Sequence, residues 1–131
     1  MKKVVIAVVV LLVLGALGVG FYLIGPPSEE RARRLDERRE MDLQRLQFAT
    51  DLYWTRNNRL PVTLDELATE AGTNIYSRDP QSARPYSYAV KDDDTYELCA
   101  EFTHESEARG GFWSHGVGRR CFLLTAKRIR P

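Results

Sequence analysis

The chain has 131 residues, 44% of them hydrophobic, with 19 basic and 18 acidic residues and a formal net charge of +1. So even a balance leaves no electrostatic footprint for nucleic acid. Once an apolar N-terminal run is set aside, the remainder suffices for one small domain.

That run extends from Val4 to Ile24 without a charge. As a helix it spans about 31 Å, the thickness of one bilayer core. It is longer than the apolar region of a cleaved signal peptide, so residues 1–27 are read as a retained membrane anchor, with residues 4–24 in the bilayer. Lys2 and Lys3 favour a cytoplasmic N-terminus. Arg31, Arg33, Arg34, Arg38 and Arg39 oppose it on a count of basic residues alone. The short N-terminal tail and the two cysteines favour a C-terminal domain outside the cytoplasm. The expected location is the inner (plasma) membrane, single-pass, with that domain extracytoplasmic.

Ser28 is placed to cap a helix, with Glu29 and Glu30 in its first turn. Residues 28–42 then read as a charged helical stalk. Glu30–Arg34 and Arg38–Asp42 are i,i+4 pairs, and the charges are expected in solvent. From Leu43 a stripe of Leu43, Leu46, Phe48, Ala49, Leu52 and Tyr53 turns the helix into a core element. It opens a small α+β domain, residues 43–131. Asn57-Asn58-Arg59 ends the helix.

A second, short helix comes next. Thr63 and Glu66 form a capping box, Val62 and Leu67 occupy the staple positions, and Ala71-Gly72 is the stop. Residues 73–84 read as irregular, with Asp79-Pro80 starting a turn. Residues 86–90 and 95–102 alternate as strands around a turn at Lys91–Asp94, and Cys121 to Leu124 makes a third. Tyr96, Leu98, Ala100 and Phe102 share one face, and Glu97, Cys99 and Glu101 the other. Of the helix stripe, Leu43, Leu46, Ala49, Leu52 and Tyr53 are expected to pack on Tyr86, Tyr88, Leu98 and Phe122. From Ala108 onward, Arg109, Arg119, Arg120, Lys127, Arg128 and Arg130 are unaccompanied by any acid. They read as an edge strand and a frayed tail.

Leu60-Pro61-x-x-Leu64-x-x-Leu67, followed by Asp79-Pro80-x4-Pro85-Tyr86-x-Tyr88, resembles the major pseudopilin of bacterial type II secretion over roughly residues 40–90. The resemblance implies an apolar N-terminal helix continuing into a long amphipathic helix, packed on a small antiparallel sheet. It also implies membership of a secretion or pilus-related assembly. The C-terminal block around Cys99, Trp113, His115 and Cys121 is instead similar to that of uncharacterised single-pass bacterial membrane proteins. The run contains no glutamate, and Gly25-Pro26-Pro27 breaks the continuous helix that fibre packing needs. An anchored, non-enzymatic accessory domain that binds an envelope protein therefore stands ahead of a pseudopilin-like subunit.

Two cysteines in a small exported domain read first as a disulfide, Cys99 to Cys121. The alternative is a metal- or thiol-dependent enzyme built on Cys99, His104, His115 and Cys121. The spacings lack the close ligand pairs of a zinc knuckle, and no metal or other cofactor is expected. Asp92, Asp93 and Asp94 read as a solvated turn rather than a calcium site. The loop from Thr103 to Gly118 places Phe112, Trp113 and His115 among glycines, which makes it the candidate binding surface.

Overall fold

A computed structural model describes residues 1–24, 27–70, 77–106 and 110–129. The chain divides into two compact units, Met1–Ala32 and Arg33–Pro131. The expected helix stop at Ala71-Gly72 lies outside the described residues.

In the first unit, α1 spans Lys2–Ile24. It is apolar on every side, and its large side chains from Val4 to Leu23 are exposed. A helix apolar all round needs a surrounding apolar medium. This one is long and apolar enough to cross a membrane. The next helix, α2, spans Pro27–Asn57. It starts one residue before the expected cap: Pro27 takes the first helical position, where a missing N–H costs nothing, and Ser28 lies inside the helix.

The second unit is α+β. α3 covers Leu64–Glu70, and three strands come after it: β1 Ser87–Val90, β2 Thr95–Phe102 and β3 Gly118–Thr125. The sheet is antiparallel in the order β1-β2-β3. Its central strand sets the register: Leu98 faces Tyr88 on one side and Phe122 on the other, and Cys99 faces Ser87 and Cys121. The turn between β1 and β2 is closed by the amides of Lys91 and Asp92, both bonded to the Thr95 carbonyl.

One apolar core joins Leu43, Leu46 and Tyr53 of α2 to Tyr86, Tyr96, Leu98, Phe102, Phe122 and Leu124, with Ala49 and Tyr88 packed at its edge. The expected helix-on-sheet packing is present. Leu52 departs from it, being half-buried and outside the core, and Phe48, which that expectation leaves out, is 62% exposed. The reason is angular. Of the eight buried positions, 36, 39, 42, 43, 46, 50 and 53 form one stripe stepping by three and four residues, with Asp51 covered separately by the Lys127 amide, and positions 48 and 52 fall on the far side of the helix.

The larger correction concerns the charged stretch. Asp36, Arg39 and Asp42 were expected in solvent, but all three are buried. They continue the same three-four stripe, with polar side chains in place of leucine. The burial is tolerable because each finds partners. Tyr86 donates its hydroxyl to Asp42 Oδ2 at 3.1 Å. Asp36 and Arg39 pair with each other at 2.7 Å, and Arg39 reaches on to Asp79.

Three local expectations fail. The Thr63 hydroxyl accepts the Glu66 amide at 3.3 Å as expected, but the Glu66 carboxylate reaches the amide of Val62 rather than that of Thr63. Val62 is 73% exposed while Leu67 is buried, so they make no staple. Glu66 is instead drawn into three bonds, with the Tyr53 hydroxyl and Arg59 supplying the other two. The described part of the C-terminal tail does not fray. The Lys127 amide bonds Asp51 Oδ1, and the Ile129 amide bonds the Thr55 hydroxyl, which ties it along α2. Asn58 ends α2 in the left-handed conformation, φ 53°, as asparagine often does at a helix C-terminus.

Candidate functional site

The loop between β2 and β3 is fixed at both ends by the sheet, where Phe102 pairs with Gly118. Gly118 has φ 94° and Gly110 φ 95°, a backbone region that favours glycine. Within the loop, the Ser106 amide donates to the His115 carbonyl at 2.9 Å. The His115 amide donates back to Ser106 Oγ at 3.1 Å. This reciprocal pair holds the two sides of the loop together.

Its aromatic residues separate into three environments. His115 is buried and stacks on Phe102, with ring centres 3.5 Å apart and planes 15° off parallel. It therefore leaves the surface on which it was expected. Trp113 is half-buried against the core, 4.8 Å from the Phe122 ring. Phe112 stands edge-on to Trp113 at 5.2 Å and remains 60% exposed. Of the three candidate binding residues, Phe112 alone is mostly in solvent, with Trp113 as its support.

Cys99 and Cys121 are bonded. They face each other directly across β2 and β3, which brings their Cα atoms to 4.0 Å. Glu97 lies beside them, with a carboxylate oxygen within 4.8 Å of both sulfurs. Sulfurs joined to each other offer neither a thiolate nucleophile nor a pair of thiolate ligands. The disulfide therefore withdraws both sulfurs from the set Cys99, His104, His115 and Cys121.

The two histidines do share a site of another composition. A cavity of about 190 Å³ is lined on one side by Arg33, Asp36, Glu37 and Glu40 of α2. Its other side is formed by His104, Glu105, Ser106 and His115. The α2 residues come together because positions 33, 36, 37 and 40 lie on one helix face.

No family model matches the chain, and no curated protein or solved structure matches it.

Beneath the cavity lies an ionic network that hydrophobic patterning did not reveal. The Asp36 carboxylate accepts the amides of Thr103 and His104 and the Arg39 guanidinium. Arg39 also pairs with Asp79 and donates to Gln81 at 2.8 Å. Asp79 in turn accepts the amides of Gln81 and Ser82, making the turn expected at Asp79-Pro80. Burial pushes the Asp79 carboxyl up. The Arg39 hydrogen bond and the two amides outweigh that and hold it at about 2. Asp42 shifts the other way: burial raises it, against the Tyr86 hydroxyl and nearby arginines. The network thus clamps α2 to the 77–84 turn and to the end of β2. The signal for it was available in the three-four spacing of Asp36, Arg39, Leu43 and Leu46, which hydrophobicity alone does not register.

Proposed function

We propose that the protein is a membrane-anchored, non-enzymatic accessory protein whose disulfide-bonded domain lies outside the cytoplasm and docks an envelope protein. Phe112 carries this reading. An aromatic side chain 60% exposed on a loop, braced edge-on by Trp113, is the kind of anchor that becomes buried when a partner seats on it. The apolar helix α1 supports anchoring. The disulfide supports an oxidising compartment.

A photo-crosslinking phenylalanine analogue at Phe112, in the full chain in its native membrane, tests the docking. The expected result is a discrete heavier adduct that the same analogue at the exposed Val62 does not give. An unreactive position 112, or equal adducts from both positions, overturns the proposal.

The alternative is a pseudopilin-like subunit, favoured by the long helix packed on a three-stranded antiparallel sheet. It requires processing ahead of the apolar helix. The mass of the mature N-terminus decides between the two: an intact Met1-Lys2-Lys3 start supports the anchored domain, and trimming there supports the subunit.

A further inference from the structure

One face of α2 belongs neither to the core nor to the buried network. Met41 and Phe48 lie seven residues apart on the side away from the sheet, 47% and 62% exposed. Leu52 continues the row four residues on, half-buried and outside the core. Steps of seven and four are close to whole helical turns, so the three side chains form one apolar line about 16 Å long. Apolar residues scattered singly on a surface need no explanation, but a continuous row marks a face that becomes covered. Charges border this row unequally. Glu37 lies on one side, with Gln44 seven residues on and Glu40 bonded to Gln44 at 3.1 Å. Arg45 lies on the other side, 58% exposed and 3.7 Å from Asp42. Arg38, seven residues before it and exposed, shares that side. The row thus has an acidic border and a basic one.

We infer that this row is covered by the same row of a second copy of the chain, with the two α2 helices side by side and parallel. The charges select that occupant. A two-fold axis along parallel helices sets the acidic border of each copy against the basic border of the other, on both sides of the seam. An antiparallel pair would set acid against acid and arginine against arginine, which is unfavourable. A face with oppositely charged borders is therefore complementary to itself in the parallel arrangement. Anchoring of both copies in one membrane, as proposed above, gives them the same topology, which the parallel pair requires. Phe48 lies at the middle of the row and is its largest side chain, so it is the principal anchor. The core positions Leu43, Leu46 and Tyr53 face the sheet, so pairing leaves the domain's own packing intact. Phe112 belongs to the β2–β3 loop and not to this row, so the two contacts are independent.

The test uses the full chain in detergent micelles, its mass measured by sedimentation and corrected for bound detergent. A reversible dimer is expected. Phe48→Glu should weaken it at least about tenfold, with the parent's circular dichroism, because Phe48 lies outside the core. Glu37→Lys and Arg45→Glu should each weaken self-association, and an equimolar mixture of the two should recover it, since one then carries an excess of base and the other of acid. Arg45→Glu also faces Asp42, so Phe48→Glu is the deciding single variant. Phe112→Ala should leave the dimer unchanged, which separates this contact from docking through Phe112. In native membranes, a photo-crosslinking phenylalanine analogue at position 48 should give an adduct of twice the chain's mass, joined through peptides that both contain residue 48. A parent chain that sediments only as a monomer overturns the inference. So does a dimer that Phe48→Glu leaves intact, a mixture that associates no better than its components, or an adduct of another mass, which would assign the row to a different protein.

Discussion

Replacing Arg39 by methionine removes the cation from the centre of a buried network while keeping most of the side-chain volume. Arg39 and Asp36 have side chains 5% and 6% exposed, and Asp79 is 12% exposed. Breaking a buried ion pair by deleting one partner costs about 3–5 kcal/mol, because the remaining charge stays desolvated. Two features place this case at the low end. Asp36 keeps the amides of Thr103 and His104, and Asp79 keeps those of Gln81 and Ser82. The expected loss is therefore about 3 kcal/mol. Urea unfolding of the full chain in micelles, followed by the fluorescence of Trp54 and Trp113, measures it. Asp79→Asn in the Arg39→Met background should recover part of the loss, since it removes one stranded charge. Arg31→Met, on the exposed start of α2, is the control and should stay within about 0.5 kcal/mol. If Arg39→Met behaves like that control, the charges of residues 36–42 are solvated and the buried network is wrong.

Other outcomes rest on the same packing. Leu46, fully buried between helix and sheet, should lose about 2–5 kcal/mol on change to alanine, read from the same urea midpoint; under about 0.5 kcal/mol would mean that the packing face is misassigned. Joint replacement of Cys99 and Cys121 by alanine should cost about 3 kcal/mol, the entropy of closing a loop of this length, and unchanged thermal unfolding would contradict it. Acid should destabilise the domain through Asp79 and Glu66. Both carboxyls sit near 2 when folded, below their unfolded values. Their contribution is present above the unfolded values and is lost as pH falls from about 4.5 toward 2. Asp42 and Asp51 are raised, so they act with the opposite sign and gain protons first in the folded state. Asp79→Asn should flatten the loss between about pH 4 and 2 in a pH series of urea midpoints.

Much of the architecture is legible because it rests on local rules. The apolar run, the Thr63 cap, the Asp79 turn and the alternation in residues 95–102 each report one element directly. The cysteine pair was legible for a second reason: alternation placed Cys99 off the core face, and antiparallel register put Cys121 opposite it. The start of the core helix was not legible. Hydrophobic periodicity detects leucine at positions 43 and 46 but not Asp36 and Arg39 on the same stripe, whose burial depends on partners at Asp79, Gln81 and Thr103 far along the chain. The same limit hid the cavity. His104 and His115 invited pairing with the cysteines because those were near in sequence. Their neighbours in space are Glu37 and Glu40, more than sixty residues earlier. Leu52 stays out of the core for a simpler reason, since the expected stripe spans more of the helix surface than the sheet covers.

We propose an anchored domain that faces an oxidising compartment. Its most direct test is trapping of thiols in intact cells with a maleimide of high mass, followed by electrophoresis of carbonate-washed membranes. The account predicts that the protein stays with the membranes, takes up no maleimide as isolated, and takes up two after reduction. Two reactive thiols without reductant, or release of the protein by carbonate, would contradict it.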